Sequence, residues 1–164
     1  MTQSPSPDEA AALFAALPAD VQPLALAALQ RLNNRNQYTG AFGWLLGIHY
    51  IQRGDGTAIC ELEVDASLWN PGKVAHGGVL YSLVDSAMGA AVFTALPPGW
   101  GCLTAELKLN YLRPVRQGRA IASAQVVHRG RTLAIVTGEV RDADDVLLGI
   151  AQGTFAVFPR EGRG

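Results

Sequence analysis

At 164 residues, with hydrophobic residues at 49% and charged residues at 16%, the chain has the size and balance of one globular domain with a single core, not of a disordered or fibrous protein. Its 13 Lys and Arg stand against 14 Asp and Glu, a formal net charge of -1. No overall field therefore favours nucleic acid or anionic lipid, and neither is expected as a partner.

The N-terminal stretch MTQSPSPDEAAALFAALPADV has acids where a secretory leader needs basic residues, and it lacks a sufficient apolar run. An untargeted, cytoplasmic protein is expected. Residues 2–7 read as a disordered Ser/Pro tail. Two helical patterns follow, over 8–17 and 20–35, the second with Leu24, Ala28 and Leu32 on one face and Asp20 as its cap. From Phe42 the pattern is that of strands: FGWLLGIHYIQ and TAICELEVD flank the turn RGDG and read as a hairpin. The chain thus divides into a tail and helical extension over 1–39 and a main domain over 40–160.

NPGKVAHGGVLYSLVDSAMGAAV, residues 70–92, opens with a turn and continues as a helix. Val79, Leu80, Leu83, Val84, Ala87, Met88 and Ala91 form a stripe at helical spacing, and the other face carries Ser82, Ser86 and Gly89 in place of Lys, Glu or Arg. Small or apolar all round, this helix belongs inside something, and a curved antiparallel sheet is the element available to wrap it. Residues 77–97 are long enough to cross a bilayer at ~1.5 Å per residue, but they hold glycines, serines and Asp85, so no membrane span is expected. Four strands come next, CLTAELKLNYL, GRAIASAQVVH, RTLAIVTGEVRD and VLLGIAQGTFAVF, joined by Pro-, Gly- or Asp-rich turns. In the first, Leu103, Ala105, Leu107, Leu109 and Tyr111 alternate with Thr104, Glu106, Lys108 and Asn110, which marks a sheet with one wet face. Cys60 and Cys102 sit singly in apolar surroundings and read as buried reduced thiols, giving neither a disulfide framework nor a metal knuckle.

Asp85 is the only Asp, Glu, Lys or Arg from Val74 to Ala105. A largely buried carboxylate costs on the order of several kcal/mol unless paired, so it needs a partner or a use. Backbone amides or serines would satisfy a purely structural acid. HGG at 76–78 stands at the predicted helix start, where glycines admit a substrate and free N–H groups point outward with the positive end of the helix dipole. That is an oxyanion site.

The pattern N-P-G-x-x-x-H-G-G, with Asp85 nine residues after His76, followed by LTAELKLNYLRP and HRGRTLAIVTGEV, resembles the hotdog-fold acyl-CoA thioesterases of the PaaI type over about residues 40–158. The resemblance implies an α+β hotdog fold, an antiparallel sheet wrapped around a long central helix. It implies hydrolysis of an acyl-coenzyme A, aromatic or aliphatic, to free acid and CoA, with no cofactor beyond the CoA of the substrate. By the same resemblance Asp85 activates water or attacks the thioester, and Gly77 offers its backbone N–H to the thioester oxygen. His76 and Asn70 orient the thioester or the water, and Thr104, in the place of a family Ser or Thr, helps hold the water. Thr104 is in phase with Glu106 and Lys108, so strand twist is required to bring it inward. The family builds its sites across a dimer interface and commonly pairs dimers into tetramers.

The chemistry agrees. Thioester cleavage needs a base or nucleophile and a donor for the developing oxyanion. His49, His76 and His128 are far apart, with no Cys or second His at ligand spacing, so no metal is expected, and no G-x-S-x-G elbow presents a serine. Asp85 remains. If the helix starts near Gly77, Asp85 lies eight residues on, or ~12 Å away, and one carbonyl cannot touch both. A second chain related by a two-fold axis would bring its Asp85 to the first chain's Gly77, so a homodimer with shared sites is expected. Arg113, Arg116, Arg119, Arg129 and Arg131 fall at turn positions, and of these Arg113, Arg129 and Arg131, with Gly130, are candidates for the CoA phosphates. Trp44, Trp69, Tyr81 and Phe93 line an acyl channel or fill the core. An acyl-CoA sensor whose helices over 8–36 contact DNA or a partner is the alternative, but Arg31 and Arg35 against Asp8, Glu9 and Asp20 make a poor phosphate-binding face. A hydratase or dehydratase on the same fold is disfavoured because no Phe-Pro follows the His.

Overall fold

The alternating segments pair into one antiparallel sheet that curls around the apolar helix. The computed structural model describes residues 5–37 and 39–160. In chain order they form α1 (Pro7–Ala15), α2 (Gln22–Asn33), a 3-10 turn (Arg35–Gln37), α3 (Gly40–Leu46), β1 (His49–Gly54) and β2 (Thr57–Val64). A 3-10 turn (Ala66–Leu68), α4 (Gly77–Thr94), β3 (Trp100–Tyr111), β4 (Gly118–Arg129), β5 (Leu133–Asp142) and β6 (Leu147–Pro159) follow. The strand order is β1-β2-β4-β5-β6-β3. α4 carries the chain from β2 to the far edge, so β1 and β3 are the two free edges, and all six strands touch the helix.

Burial follows the two periods. Ala58, Cys60, Leu62 and Val64 of β2 and Ala120, Ala122 and Ala124 of β4 face inward, against the expected stripe of α4 from Val79 to Ala91. Small residues under the helix let it lie close. A Cβ on Gly138 would stand 3.0 Å from Met88 Cε and 3.2 Å from Val84 Cγ2, so only glycine fits where the helix presses on β5. The opposite face of α4 is not covered: Tyr81 is 38% and Phe93 47% exposed, with half-buried Asp85 and Gly89 between them. A helix built for burial all round is thus sheathed on one side only.

Three local expectations change. Residues 40–46 are helical, and the first strand begins at His49, not Phe42. A short apolar run reads equally as strand or helix. Here Gly47, at φ 81, ends a helix with its N–H bonded to the Gly43 carbonyl, and Gly43 itself packs on Thr39. α2 begins at Gln22 behind Val21 with no side-chain cap, so Asp20 does not serve. Of the supposed tail, residues 2–4 lie outside the described residues, while Ser6 caps α1 and Pro7 opens it. Ser6 Oγ accepts from Glu9 N–H at 3.3 Å and Glu9 returns the bond at 2.7 Å, a capping box that SPDE spelled out.

Candidate active site

The site is built along α4 and the edge strand β3, which run antiparallel side by side. Three side chains bond a backbone carbonyl across this seam: Tyr111 Oη donates to Gly77 O at 2.8 Å, Tyr81 Oη to Leu107 O at 3.1 Å, and Cys102 Sγ to Gly89 O at 3.7 Å. Between the last two, Thr104 Oγ1 donates to Asp85 Oδ1 at 2.8 Å. The serines that might have satisfied this acid bond the helix backbone instead, Ser82 to Gly78 O at 2.7 Å and Ser86 to Ser82 O at 2.8 Å. Burial raises the Asp85 pKa above its ordinary value of 3.8, and the Thr104 hydrogen bond opposes that rise only in part.

Thr104 reaches Asp85 through a β-bulge, not through strand twist. The pairing of β3 with β6 slips between Thr104 and Glu106, where Ala105 is the extra residue. Ahead of the bulge Cys102 and Thr104 turn toward the helix and Leu103 is 66% exposed; beyond it Leu107 and Leu109 are the residues packed on the core. One alternation in the sequence is two in the structure, with opposite phase.

At the start of α4 His76 is the N-cap, its Nδ1 accepting from Gly78 N–H at 3.0 Å, which fixes the ring's remaining proton on Nε2 when neutral. The next N–H, that of Gly77, meets no acceptor among the described residues. A Cβ at residue 77 would stand 3.2 Å from Tyr111 Oη, so any larger residue there would have to push the tyrosine back by a few tenths of an ångström. Asn70 is used locally, its Oδ1 accepting from Gly72 N–H at 2.8 Å.

The expected residues therefore form two groups. Asp85 and Thr104 line a cavity of about 350 Å³ with Thr39, Tyr50, Arg53, Phe93 and Cys102. Asn70 and Gly77 line another, of about 370 Å³, with Tyr111 and Arg113. No residue lines both. The arginines divide as well. Arg113 and Arg116 bond carbonyls of Leu147 and Lys73, and Arg119 faces Glu61 at 3.7 Å. Arg129, stacked over Trp100 at 5.8 Å, closes the other end of β4 and Arg131 lies just past it, roughly 30 Å away at ~3.4 Å per residue. One chain cannot bring all five to one ligand. Of the aromatics, Phe93 lines the Asp85 cavity, Trp69 bonds the Arg116 carbonyl, Tyr81 spans the seam and Trp44 belongs to α3. Tyr111 and Arg53 were not singled out beforehand, and the inward phase of Tyr111 behind Leu107 and Leu109 is the only sequence signal for either. Cys60 is buried, its thiol pushed up to about 12, while Cys102 is half-buried in the cavity wall.

The family model of the thioesterase superfamily matches residues 72–148, the span from the turn before α4 into β6. The solved structure of PA5202 from Pseudomonas aeruginosa is 40% identical and superposes with a TM-score of 0.71, covering 76% of this chain and 98% of that one. The chain belongs to the thioesterase superfamily. Its sheet-wrapped helix is the hotdog fold of that superfamily. The PaaI protein of E. coli, from the phenylacetic acid degradation operon, superposes at a TM-score of 0.68 with 26% identity, over 83% of this chain and 94% of that one. The 1,4-dihydroxy-2-naphthoyl-CoA hydrolase of Listeria monocytogenes is 27% identical over 112 residues, 68% of this chain and 91% of its own. As a thioesterase-superfamily hydrolase of the PaaI-like kind, the chain presents Asp85 where α4 is open, bonded to one hydroxyl and otherwise facing the cavity.

Proposed function

We propose that the protein hydrolyses acyl-CoA thioesters at sites shared between two copies of the chain. The observation that carries this is the separation of the two groups: an acid with its hydroxyl partner in one cavity, and a free N–H at a helix start in another, eight residues apart on one rigid helix. Neither is sufficient alone, since a thioester carbonyl needs a base and an oxyanion donor within contact distance at once. β3 is a free twelve-residue edge beside the open face of α4, with Leu103, Tyr111 and Leu112 exposed nearby. Such an edge is a template for another strand, and a two-fold axis through it sets one copy's Gly77 against the other's Asp85.

At each such site Asp85 takes a proton from water as the water oxygen adds to the carbonyl carbon. The oxyanion accepts the Gly77 N–H and is favoured by the positive end of α4. Collapse of the adduct expels the CoA thiolate, and Asp85 returns the proton to it. A carboxylate held above its ordinary pKa is a stronger base than a free one. The acyl group enters the Asp85 cavity, whose volume suits a benzoyl- or naphthoyl-sized group. Thiol release over a panel of aromatic, short-chain and long-chain acyl-CoAs tests the proposal. Turnover of at least one is expected, and release from none, by a protein shown to be folded, would end it.

For the CoA phosphates, Arg129 and Arg131 are the pair at an exposed hairpin turn. Replacing both by Ala is expected to raise KM severalfold with little change in kcat, because such contacts are made equally in ground and transition states. An unchanged KM would shift the assignment to Arg113.

A further inference from the structure

The cavity beyond Asp85 has a charged far end that hydrolysis does not explain. It runs along the open face of α4 between the two edge strands, with Phe93, Phe155 and Cys102 as apolar wall. Arg53 of β1 lines it too, its guanidinium lying over the Tyr50 ring at 4.1 Å. No carboxylate among the described residues stands within ion-pair distance of Arg53, whereas Arg31, Arg119 and Arg141 each meet one. A second guanidinium, that of Arg160, lies over Phe93 at 5.1 Å. Thr39, in the same wall, keeps a buried hydroxyl without a hydrogen-bond partner among the described residues. Besides Asp85, then, the lining offers a guanidinium without a carboxylate partner, that of Arg53, and a hydroxyl without a hydrogen-bond partner, that of Thr39, among the described residues.

We infer that Arg53 selects acyl groups ending in a carboxylate, an aromatic acyl group with a distal acid being the best fit. The inference rests on the thioesterase reading of the same cavity. Stacking on Tyr50 fixes the plane of the guanidinium, and a fixed fork loses little freedom on binding a carboxylate with two parallel bonds. Its position is distal to the chemistry. The β1–β2 turn docks on the end of α4, where Gly56 N–H donates to Thr94 Oγ1 at 3.0 Å, and Thr94 lies nine residues, ~13 Å, beyond Asp85. Asp85 and Arg53 line the same cavity, so a para-substituted benzoyl group with its thioester carbon at Asp85 can present its second acid to Arg53. Apolar walls accept the ring between them.

The same guanidinium would also suit a CoA phosphate, so the test uses a carrier that has none. Benzoyl and 4-carboxybenzoyl thioesters of N-acetylcysteamine and of CoA are compared by kcat/KM in the wild type, Arg53→Met and Arg53→Lys. The expected result is a preference for the carboxylated acyl group of about tenfold or more on both carriers. That preference should fall to about one in Arg53→Met and be partly kept in Arg53→Lys, since the charge survives there and the fork does not. The inference is overturned by a wild-type ratio near one on N-acetylcysteamine, or by a ratio that Arg53→Met leaves unchanged. It is equally overturned if Arg53→Met raises KM alike for both CoA esters and for neither N-acetylcysteamine ester, which assigns Arg53 to phosphate. Should no thioester be hydrolysed, the thioesterase reading fails by itself. The Arg53 inference is then decided by the ratio of dissociation constants for the two CoA esters on Asp85→Asn protein, with and without Arg53→Met.

Discussion

Asp85→Asn is expected to lower turnover of acyl-CoA by at least about a hundredfold, ~2.7 kcal/mol in the barrier, while raising thermal stability at neutral pH. The amide keeps the shape and accepts the Thr104 hydrogen bond, but it is neither a base nor an anion. The gain in stability follows from the raised pKa. Because the folded chain holds the Asp85 proton more tightly than the unfolded chain does, this group favours folding most below its ordinary value of 3.8, and that contribution is lost as pH rises through the folded value. At pH 7 the wild type therefore carries an ionised acid that burial disfavours, and the variant does not. Melting temperatures of the two proteins should differ at pH 7 and converge as pH falls toward 3.8. Activity has the matching sign, kcat/KM falling on the acid side through a pKa above that of an ordinary aspartate. Thiol release within about tenfold of wild type, a change of only ~1.4 kcal/mol, would show that Asp85 is not the reacting acid.

The second large effect is a recovery. Asp85→Asn lacks the base, and the double variant Asn70→Ala with His76→Ala lacks the residues around the helix start, so each alone should be nearly inactive. Unfolded and refolded together, they should regain activity. In a mixed dimer one site joins the intact Asp85 of one copy to the intact Asn70 and His76 of the other, and the second site is damaged twice. Random pairing makes about half of the dimers mixed, each with one good site of two, so roughly a quarter of wild-type activity is expected. A mixture that forms dimers and stays as inactive as its parents would place the whole site within one chain.

Much of this was legible in the residues, and the exceptions have physical causes. The stripe on α4 was readable because burial on one face imposes a period, and β2, β4, β5 and β6 because Pro-, Gly- or Asp-rich turns bound their β-forming runs. Asp85 stood out by contrast, as a lone charge in an apolar run of some thirty residues. The helical turn at 40–46 was not readable, since GAFGWLL is too short to display a period and Gly47 decides its end through one backbone angle. The pairing of Thr104 with Asp85 was obscured because a bulge depends on how β3 registers with β6, a relation between distant segments. Arg53 lay in what read as an ordinary hairpin turn. Its place at the cavity follows from the closing of β1 over the end of α4, which no local pattern encodes.

Ala105 has a bearing on how this protein can change over time. By absorbing one residue without a partner, it uncouples the two halves of β3, so the segment that holds Thr104 and the segment that ends in Tyr111 answer to different neighbours. Substitutions at Glu106, Lys108 or Asn110 can retune solubility or surface charge without touching the hydroxyl that steadies the acid. Deleting the single alanine would leave Cys102, Thr104, Leu107 and Leu109 in plain alternation on the helix side, whereas closing the bulge with Ala105 retained would turn Thr104 to solvent and Leu103 toward Asp85, exchanging a hydrogen bond for a hydrocarbon. The chemistry of the seam thus depends on where the strand slips against β6 as much as on which residues it carries.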